Sequence, residues 1–545
     1  MSLVKNSNIA VIGAGISGLS FVYFLSKLRP DLHFTIYEQS NRIGGYINTE
    51  EHRFKGELIN LDKGPRTLRG ASDGTTIIVD TLIKLGHSDL INVIPSNSIA
   101  NKKYLLSPEN ELVQVPNDLS STFNFLKSPL GKGLVPGLLT EVFKPQKINK
   151  DESVESFLTR RFGKSLPNNI MSAVFNGIYA ADIGKLSAKT TLKSMYESEL
   201  QDGSIVKSMI MKNLQKDTKK DTVSPILKDY DQKFKGIFKD APYYPISRLQ
   251  SLLKSFPMVV LKGGLSNLPN LIGEHLAKNN KIKFVKNDPI ISINRNQNKS
   301  ITLRTSSGIT KDYSHVRSTV NATTFAQMLQ NGALISSGEE TSPTADIALE
   351  LKFINIFLIN LYIKKNVLKN HGFGYLIPKS NENNERVLGV IFDSDIEKSA
   401  TKLLQSDSIK YLKSNEEAAL PVIQPVFNDA DYTKLTIMMG GHYWANHKIP
   451  SRERSISAAK EALTNQLGID FTSLSPEDDF YIDSQLIPNC LPQYHIGYDD
   501  MKKRFLESVK EEFGERLSTG GMSFGDGAGV PDCVVNSFKN AANLA

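Results

Sequence analysis

The chain has 545 residues, of which 40% are hydrophobic and 22% charged, and its net charge at pH 7 is +8. This length and composition indicate a folded protein of two or three domains and exclude a disordered chain. The sequence has no apolar run of about 18 residues, so we expect no transmembrane helix. It also lacks a Lys/Arg block with interleaved aromatic residues and any metal-ligand spacing of Cys or His, so we expect no nucleic-acid binding and no metal site.

Residues 8–18 predict a strand, a tight turn and a helix that together bind a dinucleotide. Gly13-x-Gly15-x-x-Gly18 follows an apolar run. Gly13 permits the turn, Gly15 lets a pyrophosphate approach the backbone, and Gly18 lets the helix pack against the strand. The helix N-terminus offers unpaired N–H groups to the phosphates. The next predicted strand ends at Glu38, about 20 residues beyond Gly18, where a ribose-binding carboxylate is expected.

Two further turns combine arginine with glycine. The stretch RIGG at 42–45 resembles the second glycine motif of the FAD-dependent amine oxidases, and this resemblance implies FAD as the dinucleotide. The stretch GPRTLR at 64–69 predicts a rigid turn that presents a cation, and it resembles the GPR-x-x-R motif of the protoporphyrinogen oxidases. An ordinary glycine turn and a basic loop are the alternative interpretations of these two stretches.

Residues 119–150 mix bulky apolar side chains with lysines, and glycine and proline interrupt them. Short apolar segments beside lysines favour a monotopic surface that enters the interface of an anionic bilayer. A helical subdomain with its own core is the equal alternative. Residues 211–240 alternate Lys and Asp with few apolar residues, which predicts a solvated, mobile insertion.

The second half of the chain predicts core strands and returns to the cofactor. Residues 351–363 and 435–441 read as strands of a second domain. The stretches GFGYLIP at 372–378 and CLPQY at 490–494 resemble segments of the protoporphyrinogen oxidases. The glycine-rich residues 520–533 precede a C-terminal helix, whose N-terminus we expect to reach the flavin.

These motifs occur in the order found in eukaryotic protoporphyrinogen oxidases and span nearly the whole chain. The resemblance implies an α/β (α+β) fold with a Rossmann-like FAD-binding domain of discontinuous segments, a second mixed-sheet substrate domain and a helical membrane-associated subdomain. The implied ranges are 1–100, 258–325 and 480–545 for the FAD-binding domain, 101–115, 241–257 and 326–479 for the substrate domain, 116–210 for the helical subdomain and 211–240 for the insertion. The implied cofactor-binding residues are Gly13, Ala14, Gly15, Ile16, Ser17, Gly18, Glu38, Gln39, Arg42, Gly45, Tyr46, Gly64, Pro65, Arg66, Thr67, Ile290, Ala528, Gly529 and Val530.

The resemblance also implies a reaction, the oxygen-dependent oxidation of protoporphyrinogen IX to protoporphyrin IX in haem biosynthesis. Noncovalently bound FAD would accept a hydride at N5 and return it to oxygen as peroxide. This chemistry needs no conspicuous acid or base beside the flavin, so we assign no side chain a catalytic role. Phe373, Leu376 and Met438 are implied to flank the macrocycle, with ordinary core packing as the alternative. The propionates of the substrate need a cation, for which Arg66 and Lys103 are the candidates.

Family members of this kind are homodimers on the mitochondrial inner membrane, which the resemblance implies here too. The first strand begins within about ten residues of Met1, so we expect no signal peptide and no cleaved presequence. Two other functions stay open. One is another FAD oxidase, such as an amine oxidase or a carotenoid desaturase, although neither Cys490 nor Cys533 has an obvious flavin-attachment context. The other is a non-catalytic escort protein of the GDP-dissociation-inhibitor type, against which the motif at 42–45 argues.

Overall fold

The computed structural model describes residues 3–147, 151–216, 223–238, 244–296, 298, 300–337, 342–414, 420–424, 432–445 and 447–545. The β-strands within them are β1 Asn8–Ile12, β2 His33–Glu38, β3 Thr49–Phe54, β4 Glu57–Asp62, β5 Leu68–Arg69, β6 Ile91–Ile94, β7 Lys103–Leu106, β8 Leu112–Gln114, β9 Met258–Leu261, β10 Ile282–Lys286, β11 Ile290–Arg295, β12 Ile301–Thr305, β13 Thr310–Tyr313, β14 His315–Ser318, β15 Lys352–Ile363, β16 Gly374–Leu376, β17 Val387–Phe392, β18 Thr401–Lys402, β19 Thr433–Gly440, β20 Phe480–Gln493 and β21 Leu517–Thr519.

The α-helices within the same residues are α1 Ile16–Leu28, α2 Asp73–Lys84, α3 Leu119–Lys127, α4 Leu134–Thr140, α5 Val154–Phe162, α6 Ser172–Tyr179, α7 Ala188–Thr191, α8 Lys193–Asp202, α9 Ile205–Lys216, α10 Pro225–Phe234, α11 Ile246–Lys254, α12 Asn267–Ala277, α13 Ala322–Ser337, α14 Pro343–Leu349, α15 Asp393–Ser399, α16 Ser406–Lys413, α17 Arg452–Leu467, α18 Tyr498–Phe513, α19 Gly521–Phe524 and α20 Val530–Leu544. Short 3-10 turns include Pro129–Gly131, Glu141–Phe143 and Gly441–Trp444, and Pro167–Met171 is a π-helical turn. In this part of the chain, none of the helices combines the length and the apolar composition that crossing a bilayer requires.

A parallel five-stranded sheet is the frame of the first domain. Its strands lie in the order β10-β2-β1-β14-β21. Ile9 and Val11 of β1 contact the core formed with α1, α2, α12 and α20, whereas Ala10 and Ile12 contact the core formed with α13 and α18. Because both faces are covered, β1 is apolar throughout its length. The carboxyl ends of these strands therefore form an edge at which a ligand can bind.

A seven-stranded sheet forms the second domain, in the order β20-β15-β19-β17-β16-β7-β8. On one face, Phe357 and Ile359 of β15 pack with Trp444 and α17. On the other face, the Asn360 amide donates a hydrogen bond to the Asp62 carbonyl of the first domain, at 3.2 Å. Side chains alternate between faces along a strand. One face of this sheet is therefore its own core, and the other lies towards the first domain.

The helices α3 to α9 form a subdomain beside the seven-stranded sheet. Its centre contains an ionic cluster in which Arg161 and Glu141 are fully buried. Arg161 Nε donates to Glu141 at 2.7 Å, and its Nη1 reaches Glu199 at 3.4 Å. Burial alone would raise the pKa of Glu141, but hydrogen bonds from Ser204 and Ile205 and from Arg161 lower it. The cluster thus holds a carboxylate, and not a neutral acid, at the centre of the subdomain.

The structure confirms the predicted α/β class but divides the chain differently from the predicted ranges. β20 pairs with β15, so 480–493 belongs to the seven-stranded sheet and not to the first domain, in which the sequence analysis placed it. Because β20 is an edge strand, Pro488 and Pro492 fit in it. The helices α11 and α13, predicted within or at the border of the substrate domain, pack in the cores of the first domain.

The described part of 211–240 also differs from the predicted solvated insertion. Leu227, Tyr230 and Phe234 of α10 are buried in the core that contains α2, and the Tyr230 hydroxyl donates to the buried Asp80 carboxylate at 2.6 Å. These three positions have the i, i+3, i+7 spacing of a helix face, which the surrounding charges concealed. Residues 217–222, 239 and 240 lie outside the described residues.

Candidate active site

The glycine turn after β1 lies at the carboxyl edge of the five-stranded sheet. Gly13 has a positive φ of 98°, which favours glycine, and its N–H donates to the Tyr37 carbonyl at 2.8 Å. The Ala14 carbonyl accepts from the Gly44 N–H at 2.9 Å. The turn predicted at 13–18 and the turn predicted at 42–45 are therefore joined by backbone pairing, as the Gly15–Gly44 bridge also shows.

Gly15 and Gly18 are glycines for different reasons. A Cβ on Gly18 would lie 2.1 Å from the Gly13 carbonyl oxygen, so the fold itself requires glycine there. A Cβ on Gly15 would find its nearest described neighbour, the Gly45 Cα, at 3.7 Å, an ordinary contact. Gly15 also has an ordinary φ of −72°. The fold therefore does not require glycine at position 15. The open space in front of Gly15 fits a bound pyrophosphate at the N-terminus of α1.

Glu38 lies next to the turns at 13–18 and 42–45, and we call the surface that these three form the cradle. Its carboxylate accepts from the Ala14 N–H at 2.9 Å and from the Ser40 N–H at 3.0 Å, so its orientation is fixed. The Ser40 carbonyl accepts from the Asn287 N–H at 3.2 Å. This bond brings the turn before Ile290 next to Glu38, and Ile290 itself is buried at the start of β11.

Arg42 binds backbone carbonyls of the turn that contains it. Its Nη2 donates to the Gly45 carbonyl at 2.7 Å and its Nη1 to the Ile47 carbonyl at 3.3 Å. Arg42 is exposed. The guanidinium therefore shapes the turn and adds a positive charge to the cradle. The Tyr46 hydroxyl donates to the Asn489 carbonyl at 2.9 Å, which links this turn to β20 of the second domain.

The C-terminal helix reaches the same cradle. The Ser537 hydroxyl of α20 donates to the Ser17 carbonyl of α1 at 2.8 Å. A Cβ on Gly74 of α2 would lie 2.2 Å from the Pro531 carbonyl, so α2 and the first turn of α20 are in direct contact. The Gly529 N–H is capped by Asp532 at 3.1 Å. The N-termini of α1 and α20 thus lie side by side, and both offer a positive dipole end.

The other predicted cofactor residues lie around this cradle. Ile16 and Ser17 are buried in the first turn of α1, and Gln39 is exposed beside Glu38. A Cβ on Gly64 would lie 2.0 Å from the Tyr46 carbonyl, so the GPR turn packs directly on the RIGG turn. The remaining members are partly buried and belong to these two turns and to the segment before α20: Pro65, Thr67, Ala528 and Val530.

The inward face of the seven-stranded sheet carries three of the predicted substrate residues, Leu376, Met438 and Lys103, in two adjacent rows. The strand registers align the first row as Leu105, Leu376, Gly389, Met438, Leu358 and Gln485. They align the second row, two residues further along, as Lys103, Gly374, Ile391, Thr436, Asn360 and Asp483. Positions that pair across strands, and positions two apart, share a face.

Three partly exposed apolar side chains stand on this face. Within β16, β17 and β19, Leu376, Ile391 and Met438 are the residues that are not buried. Gly389 separates Leu376 from Met438, and Leu376 lies across it, because a Cβ there would be 2.6 Å from Leu376 Cδ2. Ordinary core packing would bury these side chains, so their exposure indicates an apolar wall. Phe373 precedes β16 and packs in a cluster with Ile391, at the border of the wall.

Arg66 lies in a buried ion pair. Its Nη1 donates to Asp393 at 2.6 Å, and both residues are less than 10% exposed. The second Asp393 oxygen accepts from the Thr436 hydroxyl at 2.6 Å, and Thr436 in turn accepts from the Asn360 amide at 2.9 Å. The guanidinium is thus matched by a carboxylate of the chain itself. Lys103, by contrast, is exposed at the edge of the second row, and no described acid lies within ion-pair distance of it.

The sequence reasoning missed the polar residues that hold Arg66. Asp393, Thr436 and Asn360 are buried, and each comes from a different element of the second domain. The Asn360 and Thr436 positions carried one usable signal, because both are polar residues within otherwise apolar strands. Asp393 carried none, since its partner Arg66 lies 327 residues away.

The two cysteines are buried near the cradle. Burial raises the pKa of the Cys490 thiol to about 12 and that of the Cys533 thiol to about 11. Burial, followed by the proximity of Cys490, also raises the pKa of Tyr46. Thiols with raised pKa values are poor nucleophiles, so neither cysteine is activated for a covalent bond.

Comparisons with known proteins identify the family of the chain. The family model described as flavin containing amine oxidoreductase matches residues 16–502. The protoporphyrinogen oxidase of Saccharomyces cerevisiae is 38% identical over 100% of this chain and 98% of its own length. That of Schizosaccharomyces pombe is 28% identical over 99% and 98%. A solved structure from Exiguobacterium sp. 255-15 has a TM-score of 0.68 and 17% identity and covers 99% of both chains. The chain belongs to the flavin-containing amine oxidoreductase family, among the protoporphyrinogen oxidases.

Proposed function

We propose that this chain oxidises protoporphyrinogen IX to protoporphyrin IX, with FAD as its cofactor and oxygen as the electron acceptor, in haem biosynthesis. The observation that carries the proposal is the wall of partly exposed Leu376, Ile391 and Met438, with Lys103 at its edge. An apolar macrocycle with ionised propionates needs an apolar wall and a peripheral cation. The family of the chain supplies the redox class.

The cradle supports FAD as the flavin and supports noncovalent binding. The open space at Gly15 accommodates a pyrophosphate, and the fixed carboxylate of Glu38 suits the ribose hydroxyls. When bound, FAD supplies the acceptor for two electrons in each oxidation step. The buried thiols of Cys490 and Cys533 have raised pKa values, which disfavours a covalent link to the flavin.

The side chains have separate tasks in this proposal. Leu376 and Met438 orient the macrocycle and exclude water from its face. Lys103 binds a propionate by a charge-assisted hydrogen bond. Arg66 is a positioning residue, because its charge is already matched by Asp393, and it fixes the turn that packs on the flavin cradle. This assignment differs from the sequence-based prediction, which gave Arg66 and Lys103 the same task.

Anaerobic reduction of the flavin tests the reaction. The purified protein should be yellow, and protoporphyrinogen IX should bleach its flavin absorbance, whereas a polyamine and a carotenoid precursor should not. Bleaching by the polyamine or the carotenoid precursor would assign the chain to another type of FAD oxidase. A colourless protein that takes up no FAD would support the escort function. The full-length identity of 38% with a protoporphyrinogen oxidase favours the first outcome.

We also propose that the chain is a monotopic protein on an anionic membrane surface. Phe123, Leu139 and Phe143 are 59%, 70% and 85% exposed, which is unusual for large apolar side chains on one short segment. Lysines accompany them, so both apolar insertion and charge would contribute to binding. The mitochondrial inner membrane and the homodimer rest on the resemblance to the eukaryotic family. Fractionation of mitochondria and analytical ultracentrifugation in detergent test these two proposals.

A further inference from the structure

The five-stranded sheet of the first domain contains a buried arginine. Arg317 of β14 is fully buried, and burial lowers the pKa of its guanidinium to about 9, so the group is still a cation at pH 7. The guanidinium lies over the Phe21 ring of α1, with 5.4 Å between Cζ and the ring centre. Its Nη1 and Nη2 donate to the side-chain carbonyls of Asn540 and Asn536 at 3.0 and 2.9 Å. Its Nε has no hydrogen-bond partner among the described residues.

Within the described part of the chain, no carboxylate pairs with Arg317. The neighbouring elements β1, β21 and α1 contain no acid. Asp532 of α20 instead caps the Gly529 N–H at 3.1 Å. Asp526, in the loop before α20, pairs with Lys539 at 2.9 Å. A buried charge without a counter-charge is unfavourable, so we expect the complete protein to contain one that the chain does not supply.

The guanidinium lies behind the first turns of α1 and α20. Phe21 is the sixth residue of α1 and Asn536 the seventh of α20, so the rise of an α-helix places Arg317 roughly 8–9 Å from both helix N-termini. A Cβ on Gly520 would lie 2.1 Å from Arg317 Nη2, and one on Gly521 would lie 3.8 Å from the Ser17 Oγ of α1. Protein therefore separates the guanidinium from the cradle, and a negative charge at the cradle would act on it with little screening by water.

We infer that the diphosphate of FAD is the counter-charge of Arg317, so that this residue strengthens cofactor binding without contacting the cofactor. The inference rests on the proposed FAD and adds a residue that acts on it. The diphosphate is negatively charged in both redox states of the cofactor. The anionic reduced flavin is the other possible source of negative charge, but it would leave Arg317 without a counter-charge in the oxidised protein.

Binding of ADP to the full-length apoprotein tests the inference, because ADP contains the diphosphate of FAD and no flavin. In calorimetric titrations Arg317→Met should bind ADP at least about tenfold more weakly than the wild type, and adenosine with unchanged affinity. Arg317→Lys keeps the charge and should retain most of the ADP affinity. The matched control is Arg295→Met on β11, which removes an exposed charge that water screens, and it should bind ADP like the wild type.

Thermal melts show whether Arg317→Met is folded. If it is not, Arg317→Gln, which is neutral but can still donate a hydrogen bond to one asparagine, replaces it in the comparison with Arg317→Lys. Equal losses of ADP affinity in the neutral variant and in Arg317→Lys would show that the hydrogen bonds to Asn536 and Asn540 matter and the charge does not, which overturns the inference.

Two other results would also contradict it. If the neutral variant binds ADP like the wild type but its bound flavin has a lower reduction potential, the counter-charge is the reduced flavin and not the diphosphate. If the neutral variant binds both ADP and FAD like the wild type, the inference alone is wrong and the proposed cofactor stands. A wild-type apoprotein that takes up neither ADP nor FAD would refute both.

Discussion

Arg66 and Lys103 should respond differently to substitution, because one is buried in an ion pair and the other is exposed. Arg66→Ala leaves Asp393 buried, 5% exposed, with the Thr436 hydroxyl as a remaining partner. Removing one member of a buried ion pair costs about 3–5 kcal/mol of folding free energy. Lys103→Ala breaks no ion pair within the described residues, and an exposed substitution of this kind changes stability by about 0.5 kcal/mol at most.

The effect on substrate binding should be the reverse. A charge-assisted hydrogen bond to a propionate contributes about 1.5–3 kcal/mol. Lys103→Ala should therefore raise KM for protoporphyrinogen IX about ten- to a hundredfold and leave kcat close to the wild-type value. Arg66→Ala should lower kcat and the flavin content, because the turn at 64–66 packs on the cradle. Lys103→Arg is the control, and it should keep the KM of the wild type.

Three measurements check this reasoning: urea unfolding monitored by flavin release, steady-state kinetics, and the ratio of activity on the free acid to activity on its dimethyl ester. The wild type should prefer the acid, and Lys103→Ala should lose part of that preference. The reasoning is refuted if Arg66→Ala is as stable as the wild type while its acid preference disappears, since Arg66 would then bind the propionate. An unchanged preference in Lys103→Ala would remove Lys103 from the site.

Substitutions at Gly15, His315 and Phe125 test the open space at the cradle, the burial of a histidine and the packing of the helical subdomain. Gly15→Ala should leave the apoprotein as stable as the wild type but weaken FAD binding at least about tenfold. Gly18→Ala should instead destabilise the apoprotein. Thermal melts of the apoprotein and flavin titration distinguish the two results. Burial, followed by repulsion from Arg317, lowers the pKa of His315 from an ordinary 6.5 to about 4. The unfolded chain therefore binds a proton that the folded protein does not, and the free energy of unfolding falls as pH falls from 6.5 to 4. His315→Gln should reduce that loss by about 3 kcal/mol, as measured by urea titrations at several pH values. Phe125 is 3% exposed, so Phe125→Ala should cost about 3–5 kcal/mol, while Phe143→Ser should cost under about 0.5 kcal/mol and weaken vesicle binding.

The sequence could not show which phenylalanines of residues 119–150 are exposed and which are buried. Phe123 and Phe125 both belong to the lysine-flanked apolar segment, and its pattern gives them equal standing. In the structure Phe123 is 59% exposed, whereas Phe125 packs with Leu105 and Leu376 at the side of the apolar wall. Residues two apart on a helix point to different sides, but only the neighbouring elements decide which side is covered.

The sequence by itself determined the elements whose causes are local. The turn at 13–18 with the helix after it, the strand that ends at Glu38 and the strand at 351–363 are found where the sequence predicts them. Glycine conformations, apolar alternation and helix-capping residues act over a few positions, so they can be recognised without knowledge of the fold. The resemblance of several such stretches in one order was sufficient to predict the family.

The tertiary structure decided how distant charges and apolar faces are matched. From the sequence, Arg66 and Lys103 were equal candidates for the cation that binds a propionate. In the structure Asp393, 327 residues from Arg66, pairs with Arg66 and not with Lys103. The sequence also predicted that the segment containing α10 is solvated, whereas in the structure one face of α10 is buried in the core around α2. The free energy of a charge or an apolar side chain depends on which groups replace its water, and those groups come from remote parts of the chain that only the folded arrangement brings together.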